Sequence, residues 1–281
     1  MPKVKFCLFA STPDMSQLDF VVKVLTGTPE ELGKTAVSWG YDGIEFMPDP
    51  EHTPDPELFN NMLERTGAAM PVVNSGRIAA QGMALLHEDI TVRKKSIEGF
   101  KRILDFAGYF KARVGLGASR GRGIPGMSKA DTLKLAEEIF RELTEHARKV
   151  GAVIMLEPAE AVHTSLFNTN EEVMAMVEKI GSPNFSIMLD THQLYVVEPS
   201  IEHGIRAARG QARHIHLFEP SRLPPGVSTE KEALDWPNIV RVLKEEGFEG
   251  SASVVIGPEG DAESIARKSV AYLRKLFNES P

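Results

Sequence analysis

Three polar residues in this chain follow apolar runs at comparable positions: Glu157 after AVIML, Asp190 after FSIML, and His216 within RHIHLF. Two carboxylates that converge on a neutral imidazole repel one another unless a cation or a proton sits between them. Oxygen-rich donors joined by one nitrogen suit Mn²⁺, Mg²⁺, Co²⁺ or Zn²⁺. The three residues are therefore expected to be the ligands of a divalent metal, Mn²⁺ first. A lone acid at such a position more often caps a helix or pairs with an arginine, but three on successive segments argue for convergence. His192 lies two residues after Asp190 and His214 two before His216, so in extended chain each shares a face with its neighbour. His192 is expected to orient a ligand, bind substrate or act as a general acid; a solvent-facing loop histidine is the plain alternative. His214 carries the same expectation more weakly.

The elements that would carry these residues are readable from the alternation of short apolar runs with longer amphipathic stretches. Strand candidates are VKFCLF near the start, 42–46, 70–74, 112–117, 152–157, 185–190, 213–218 and 251–256. Helical candidates between and after them include 90–109, 128–150, 170–181, 236–247 and 261–277. Ser128, Asn170 and Asp235 stand where helix starts are expected, Asp235 just before Trp236 and Pro237. Eight βα units predict a parallel sheet closed into a (β/α)8 TIM barrel, one α/β domain over 1–281, a length that fits the roughly 250 residues typical of that fold. In such barrels the working residues sit at the C-terminal ends of the strands. Those ends read Glu45, Asn74, Gly117, Glu157, Asp190, His216 and Glu219, and the acids Glu45 and Glu219 are expected to contact substrate.

Composition removes several classes of function. The net charge of −7 gives no basic stripe for a phosphate backbone, so no nucleic-acid partner is expected. No run of about 18 apolar residues suggests a membrane span, and the first residues lack the apolar core and cleavage site of a secretory signal, so the expectation is a cytoplasmic protein. The single Cys7, in an apolar strand, is expected to be a buried thiol and cannot form a disulfide within the chain. SRGRG at 119–123 offers Arg120, Arg122 and backbone N–H groups to a phosphate or carboxylate, against the plainer expectation of a solvated loop. RLPPG, from Arg222, has the rigidity of a loop that shapes a mouth, or of a simple turn. No surface stripe identifies an interface, which leaves a homo-oligomer open.

MLEPAE, IMLDTHQ, HIHLFEPSRLPPG and GFEGSASVVIGPEG, with GYDGIEF and FNTNEEVM, resemble the xylose isomerase-like barrel superfamily, most of all its sugar isomerase, ketose 3-epimerase and inosose dehydratase branch. The resemblance covers nearly the whole chain. It implies Glu157, Asp190 and His216 as metal ligands, and Arg222 as a holder of substrate hydroxyls or carbonyl. It also implies a fourth ligand, a glutamate on strand eight that opposes the strand-five glutamate as acid and base; here that position is Val255. Two further positions depart: His163 stands where the epimerases have a second glutamate, six residues after Glu157, and the DTHQ order moves a histidine to 192 from three residues after the aspartate.

The expected activity is that of a metal-dependent isomerase or epimerase of a sugar or cyclitol, which abstracts a proton next to a carbonyl. Glu157 would serve as ligand and base, and His192 or His163 as proton donor. Val255 shifts weight from 3-epimerisation, and a dehydratase acting on a polyol ketone is the alternative. The missing acid has three readings: three protein ligands plus water, replacement by Glu219 or Glu259, or loss of metal and a lapsed barrel that only binds. An apurinic-site endonuclease shares the fold but would need a trinuclear zinc cluster and many more ligands.

Overall fold

The computed structural model describes residues 4–18, 23–227, 233–257 and 260–279. Five strands, β1 (Lys5–Ser11), β2 (Gly43–Met47), β3 (Ala69–Asn74), β4 (Arg113–Leu116) and β5 (Val153–Leu156), pair in parallel in chain order. β6 is broken at Met188 into Phe185–Ile187 and Leu189–Asp190, and it is followed by β7 (His214–Leu217) and β8 (Ser251–Val254), which returns to β1. The first half of β6 pairs with β5 and the second half with β7, so the barrel closes across the break. A two-residue strand, Leu25–Thr26, extends the sheet beside β1. The barrel read from the alternation is the fold observed.

The helices around it are α1 (Pro29–Ser38), α2 (Pro56–Thr66), α3 (Ile90–Tyr109), α4 (Lys129–Val150), α5 (Asn170–Ile180), α6 (Ile201–Ala207), α7 (Trp236–Glu245) and α8 (Ala262–Glu279). Ser128 accepts from Asp131 N at 3.1 Å and Asp235 from Asn238 N at 3.1 Å, so both cap as expected. At α5 the cap is Thr169 rather than Asn170: the Thr169 hydroxyl accepts from Glu172 N at 3.2 Å, and Asn170 becomes the first helical residue. Four further short helical segments, Pro13–Gln17, Arg77–Ala80, Ala118–Arg120 and Thr191–Val197, lie in the loops at the strand C-termini and thicken the barrel mouth. Among the described residues no helix is long and apolar enough to cross a membrane.

The period-two geometry of the strands separates two apolar environments. Phe6, Leu8 and Ala10 of β1, with Ile44 and Phe46 of β2, pack toward the helices in the main core. There Phe46, Phe59, Phe106 and Phe110 form a chain of rings with successive centroids 4.8, 5.4 and 5.1 Å apart. Inside the barrel, Val72, Met155 and Met188 form one small cluster, and Phe9, Met15, Val24, Met47, Phe218 and Val255, from strand ends and the loops beside them, form another. Glu45, His214, Ser251 and Ser253 are buried polar residues of the strands, and the expected burial of Cys7 is observed. β2 and β3 meet at Gly43, where a Cβ would overlap the backbone of Ala69, and their register shifts between Gly43 and Glu45.

Phe59 is fully buried in the outer core between the strands and helices, and it touches three other rings. Phe59→Ala should cost about 3–5 kcal/mol of stability, read as a lowered urea midpoint, with metal affinity of the folded protein unchanged. A midpoint equal to that of the parent would contradict this account of the outer core.

Candidate metal centre and cavity

Glu157 follows the last residue of β5, and its N–H still extends the sheet by donating to Leu116 O at 3.1 Å. Its carboxylate lies over Gly117, where a Cβ would overlap Oε2. Glycine at 117 is thus what gives the carboxylate its place. Asp190 ends β6 and uses Oδ1 to cap the short Thr191–Val197 helix, accepting from Gln193 N at 3.0 Å. Its Oδ2 faces His216 Nδ1 at 3.7 Å, while Glu157 Oε1 faces the same nitrogen at 3.4 Å. The helix-capping role and the convergent role therefore belong to different oxygens of one carboxylate. Thr191 Oγ1 accepts from Phe218 N at 2.7 Å and donates to Phe218 O at 2.7 Å, stapling the end of β6 to the end of β7.

His216 is held from behind by Glu45. That carboxylate accepts from His216 Nε2 at 3.0 Å, from His214 Nε2 at 2.8 Å and from Asn74 Nδ2 at 2.7 Å. A carboxylate can only accept here, so His216 carries a proton on Nε2 and turns Nδ1 toward Glu157 and Asp190, as an N–H while the imidazole is charged and as a lone pair once a cation takes that proton's place. Burial opposes charge on Glu45 and His216, but their mutual attraction prevails. The Glu45 carboxyl is held well below the usual range, and the His216 imidazole is pushed well above it with help from Asp190 and Glu157. Burial holds His214 below its usual range, and its Nδ1 lies 2.8 Å from Ser251 Oγ. Phe9 stacks on His216 with centroids 5.7 Å apart.

Ligand atoms of Glu157, Asp190 and His216 all lie within 4.8 Å of one another, which is the arrangement expected of three donors around one cation. Glu45, His214 and His216 satisfy the same distance, but there the carboxylate is saturated by imidazole hydrogen bonds. The first group fits a divalent ion, with two carboxylate oxygens and an imidazole nitrogen and open positions left for other ligands. These residues floor a cavity of about 370 Å³ whose walls include Phe9, Asn74, Arg120, His163, Gln193 and Arg222. That size accommodates a monosaccharide.

Several expectations are refined by depth. Glu45, expected at the substrate, is fully buried in the middle of β2 and does not line the cavity. Glu219 is also turned away: Oε1 accepts from Trp236 Nε1 at 2.6 Å and Oε2 from Leu234 N at 2.9 Å, so it neither replaces the missing acid nor reaches the cavity. Glu259 lies outside the described residues. Val255 joins the apolar cluster with Phe9 and Phe218, and the carboxylates lining the cavity among the described residues are Glu157 and Asp190. His163 lines the wall with its Nε2 3.3 Å from Glu160 Oε1. His192 stands behind the wall, where Nε2 accepts from Arg222 Nη2 at 3.1 Å. Burial and the Arg222 charge lower its pKa, which agrees with a neutral acceptor. Arg222 itself lines the cavity, from a residue with φ of +62°. Asn74 reads in the sequence as a strand end without a role, and Glu160 and Gln193 escaped the sequence reading, although Gln193 occupies the very position where the resemblance leads one to expect histidine. Arg120 is buried rather than solvated.

A closed parallel barrel with two carboxylates and an imidazole convergent at its mouth defines a class of small-molecule barrels with a candidate metal centre. The chain belongs to the xylose isomerase-like TIM barrel family, whose model matches residues 34–276. It is 34% identical over 113 residues to the D-psicose 3-epimerase of Enterocloster bolteae, a stretch that spans 40% of this chain and only 36% of that protein. Over a longer span it is 28% identical to a putative hydroxypyruvate isomerase of Mus musculus, covering 84% of this chain and 86% of that one. A D-psicose 3-epimerase from Clostridium cellulolyticum H10, solved with D-tagatose, superposes with a TM-score of 0.79 at 18% identity, covering 98% and 99% of the two chains.

Glu45→Gln should weaken Mn²⁺ binding about 10- to 100-fold, because an amide can no longer hold both imidazoles in the donor tautomer. Gly117→Ala should weaken it too by displacing Glu157. Titration calorimetry with Mn²⁺ on the folded variants checks both; parental affinity in both would show that neither residue shapes the ligand set.

Proposed function

We propose that this chain is a divalent-metal-dependent enzyme of the sugar isomerase and epimerase kind, which moves a proton next to the carbonyl of a sugar, cyclitol or related polyol. The observation that carries the proposal is the convergence of Glu157, Asp190 and His216 Nδ1 on one point at the floor of a sugar-sized cavity. The family and the epimerase and isomerase relatives support it. Glu157, Asp190 and His216 would hold the ion, Mn²⁺ being the first choice for this donor set with Mg²⁺, Co²⁺ and Zn²⁺ behind it. When bound, it supplies Lewis acidity to the substrate carbonyl and hydroxyl.

The remaining roles follow from position. Glu157 is the base, since it is the carboxylate at the floor whose side chain is not committed to a helix cap. Glu45 orients His216 from behind. Arg222 offers its fork of donors to substrate oxygens, and His192 accepts from that guanidinium and so fixes it. His163, paired with Glu160, is the proton donor on the wall, a role that His192 fills less well from behind it. Within the same reading the partner is a small polyhydroxylated molecule met in the cytoplasm, without nucleic acid or membrane.

The kind of proton movement follows from topology. β1 stands across the eight-stranded barrel from β5, so Phe9 faces the side of the cavity opposite Glu157. Inversion by two opposed carboxylates needs an acid on that side, and Phe9, Phe218 and Val255 provide none. The site therefore favours chemistry by one base on one face, either transfer of a proton between neighbouring carbons or elimination of a β-hydroxyl.

The test is a panel of ketoses, aldoses and cyclitol ketones incubated in D2O with the Mn²⁺-loaded protein and followed by NMR. Deuterium should enter the carbon next to the carbonyl of at least one compound, and Glu157→Gln should lower the rate about 10³-fold or more. No exchange across the panel, or a fully active Glu157→Gln protein, would overturn the proposal.

A further inference from the structure

The loop after β4 brings two arginines to the cavity that the proton chemistry above does not use. Arg120 is 1% exposed, and its Nη1 donates to two main-chain oxygens, Gly117 O at 3.1 Å and Glu157 O at 2.7 Å. Its Nε is buried with no acceptor. Burial lowers its pKa to about 10, which still leaves the guanidinium charged near neutrality. A buried cation is costly when its donors are unpaired, and here the neighbouring protein atoms answer only part of the guanidinium. Arg122 lines the same cavity two residues on, with Nη2 donating to Val162 O at 2.5 Å, and Arg222 enters from the β7 loop.

The balance of charge around the cavity is what gives these arginines meaning. The acids on its lining, Glu157 and Asp190, are the proposed ligands of a divalent ion and are neutralised by it. Glu160 lies 3.7 Å from Arg222 and offsets that side chain. Among the described residues Arg120 and Arg122 then remain without a carboxylate partner, a positive wall on a cavity otherwise sized and lined for a polyol. A neutral sugar leaves that wall unanswered, whereas an anionic group would give the Arg120 fork the charge-assisted partner it lacks.

We propose that the substrate carries an anionic group, a carboxylate or a phosphate, received by Arg120 and Arg122 while its carbonyl end lies over Glu157. This rests on the proton-transfer reading of the same cavity and names its substrate class: polyhydroxy acids or sugar phosphates in place of free sugars. Arg120 is then a specificity-determining residue as well as a staple between the ends of β4 and β5.

Calorimetry on the full-length, Mn²⁺-loaded protein tests this with two matched pairs, D-glucuronate against D-glucose and D-fructose 6-phosphate against D-fructose. The anionic member of at least one pair should bind about tenfold tighter or more, and raising salt from low to high should narrow the gap. Which pair shows the preference decides between carboxylate and phosphate. Arg122→Ala, an exposed change that should not disturb folding, is expected to weaken only the anionic ligand, by about threefold to tenfold. Arg120→Lys keeps the charge but loses the fork and should do the same more strongly. Equal affinity within both pairs would overturn the proposal. So would variants that weaken anionic and neutral ligands alike, since Arg120 would then be a staple alone. The two readings fail separately: deuterium exchange into neutral ketoses without any anion preference sinks this inference alone, and anion preference without any exchange sinks only the proton chemistry.

Discussion

The interior of this barrel depends on one buried carboxylate, Glu45, shared by two imidazoles. β2 and β7 are not neighbours in the sheet, because β1 and β8 lie between them, yet Glu45 joins them through the barrel interior by hydrogen bonds of 2.8 and 3.0 Å. An ionised carboxylate in that place is tolerable only if its lone pairs are answered, and His214, His216 and Asn74 answer them. The arrangement has a directional consequence. Since Glu45 takes Nε2 of His216, Nδ1 must face the mouth, where Glu157 and Asp190 already stand. The polar centre of the barrel thus decides which nitrogen is offered to a ligand before any ligand arrives.

Loop geometry extends the same logic to the wall. Glu219 ties the two ends of the β7–α7 connection, because it accepts from Leu234 N and Trp236 Nε1 while its main chain forms a turn with Arg222 and Leu223. The turn sets Arg222 in the left-handed region, and His192 receives its guanidinium. On the far side, Arg77 gathers Thr12, Asp14 and Asp49, so the loops after β1, β2 and β3 are held by one buried guanidinium. Arg77 is answered by two carboxylates and a hydroxyl, and Arg120, equally buried, by two carbonyls. Both leave a buried Nε without a partner among the described residues, so the contrast lies in charge: carboxylates neutralise Arg77, whereas only neutral carbonyls meet Arg120.

The eight strands were legible because each is a short apolar run, and the convergence of Glu157, Asp190 and His216 was legible because Glu157 and Asp190 follow such runs and His216 lies near the end of one. Depth was not. Glu45 reads as a strand-end acid, but β2 continues through Phe46 to Met47, and the acid falls at mid-strand inside the barrel. Glu219 lies past the end of its strand, where sequence cannot reveal that Trp236, seventeen residues on, will claim it. The SRGRG loop reads as solvated because it is charged and rich in glycine, whereas the turn at Ala118–Arg120 folds Arg120 inward against two strand-end carbonyls. In each case the missing information is a partner far along the chain, and periodicity carries no record of partners.

Val255 also acquires a physical meaning in three dimensions. It extends an apolar patch that includes Phe9 and Phe218, and Phe9 stacks on the imidazole that faces the two carboxylates. A carboxylate at 255 would have to sit among Phe9, Met15, Val24, Met47 and Phe218, where nothing in the cluster could answer its charge. Valine at 255 therefore continues an apolar surface, and Glu219 is committed to Trp236 and Leu234. An aromatic surface also suits the C–H face of a sugar ring, so this side of the cavity can hold a substrate without exchanging protons with it. In the proposed reading, one face of the substrate meets carboxylates and the other meets Phe9, and the reaction follows from that asymmetry more than from the family to which the barrel belongs.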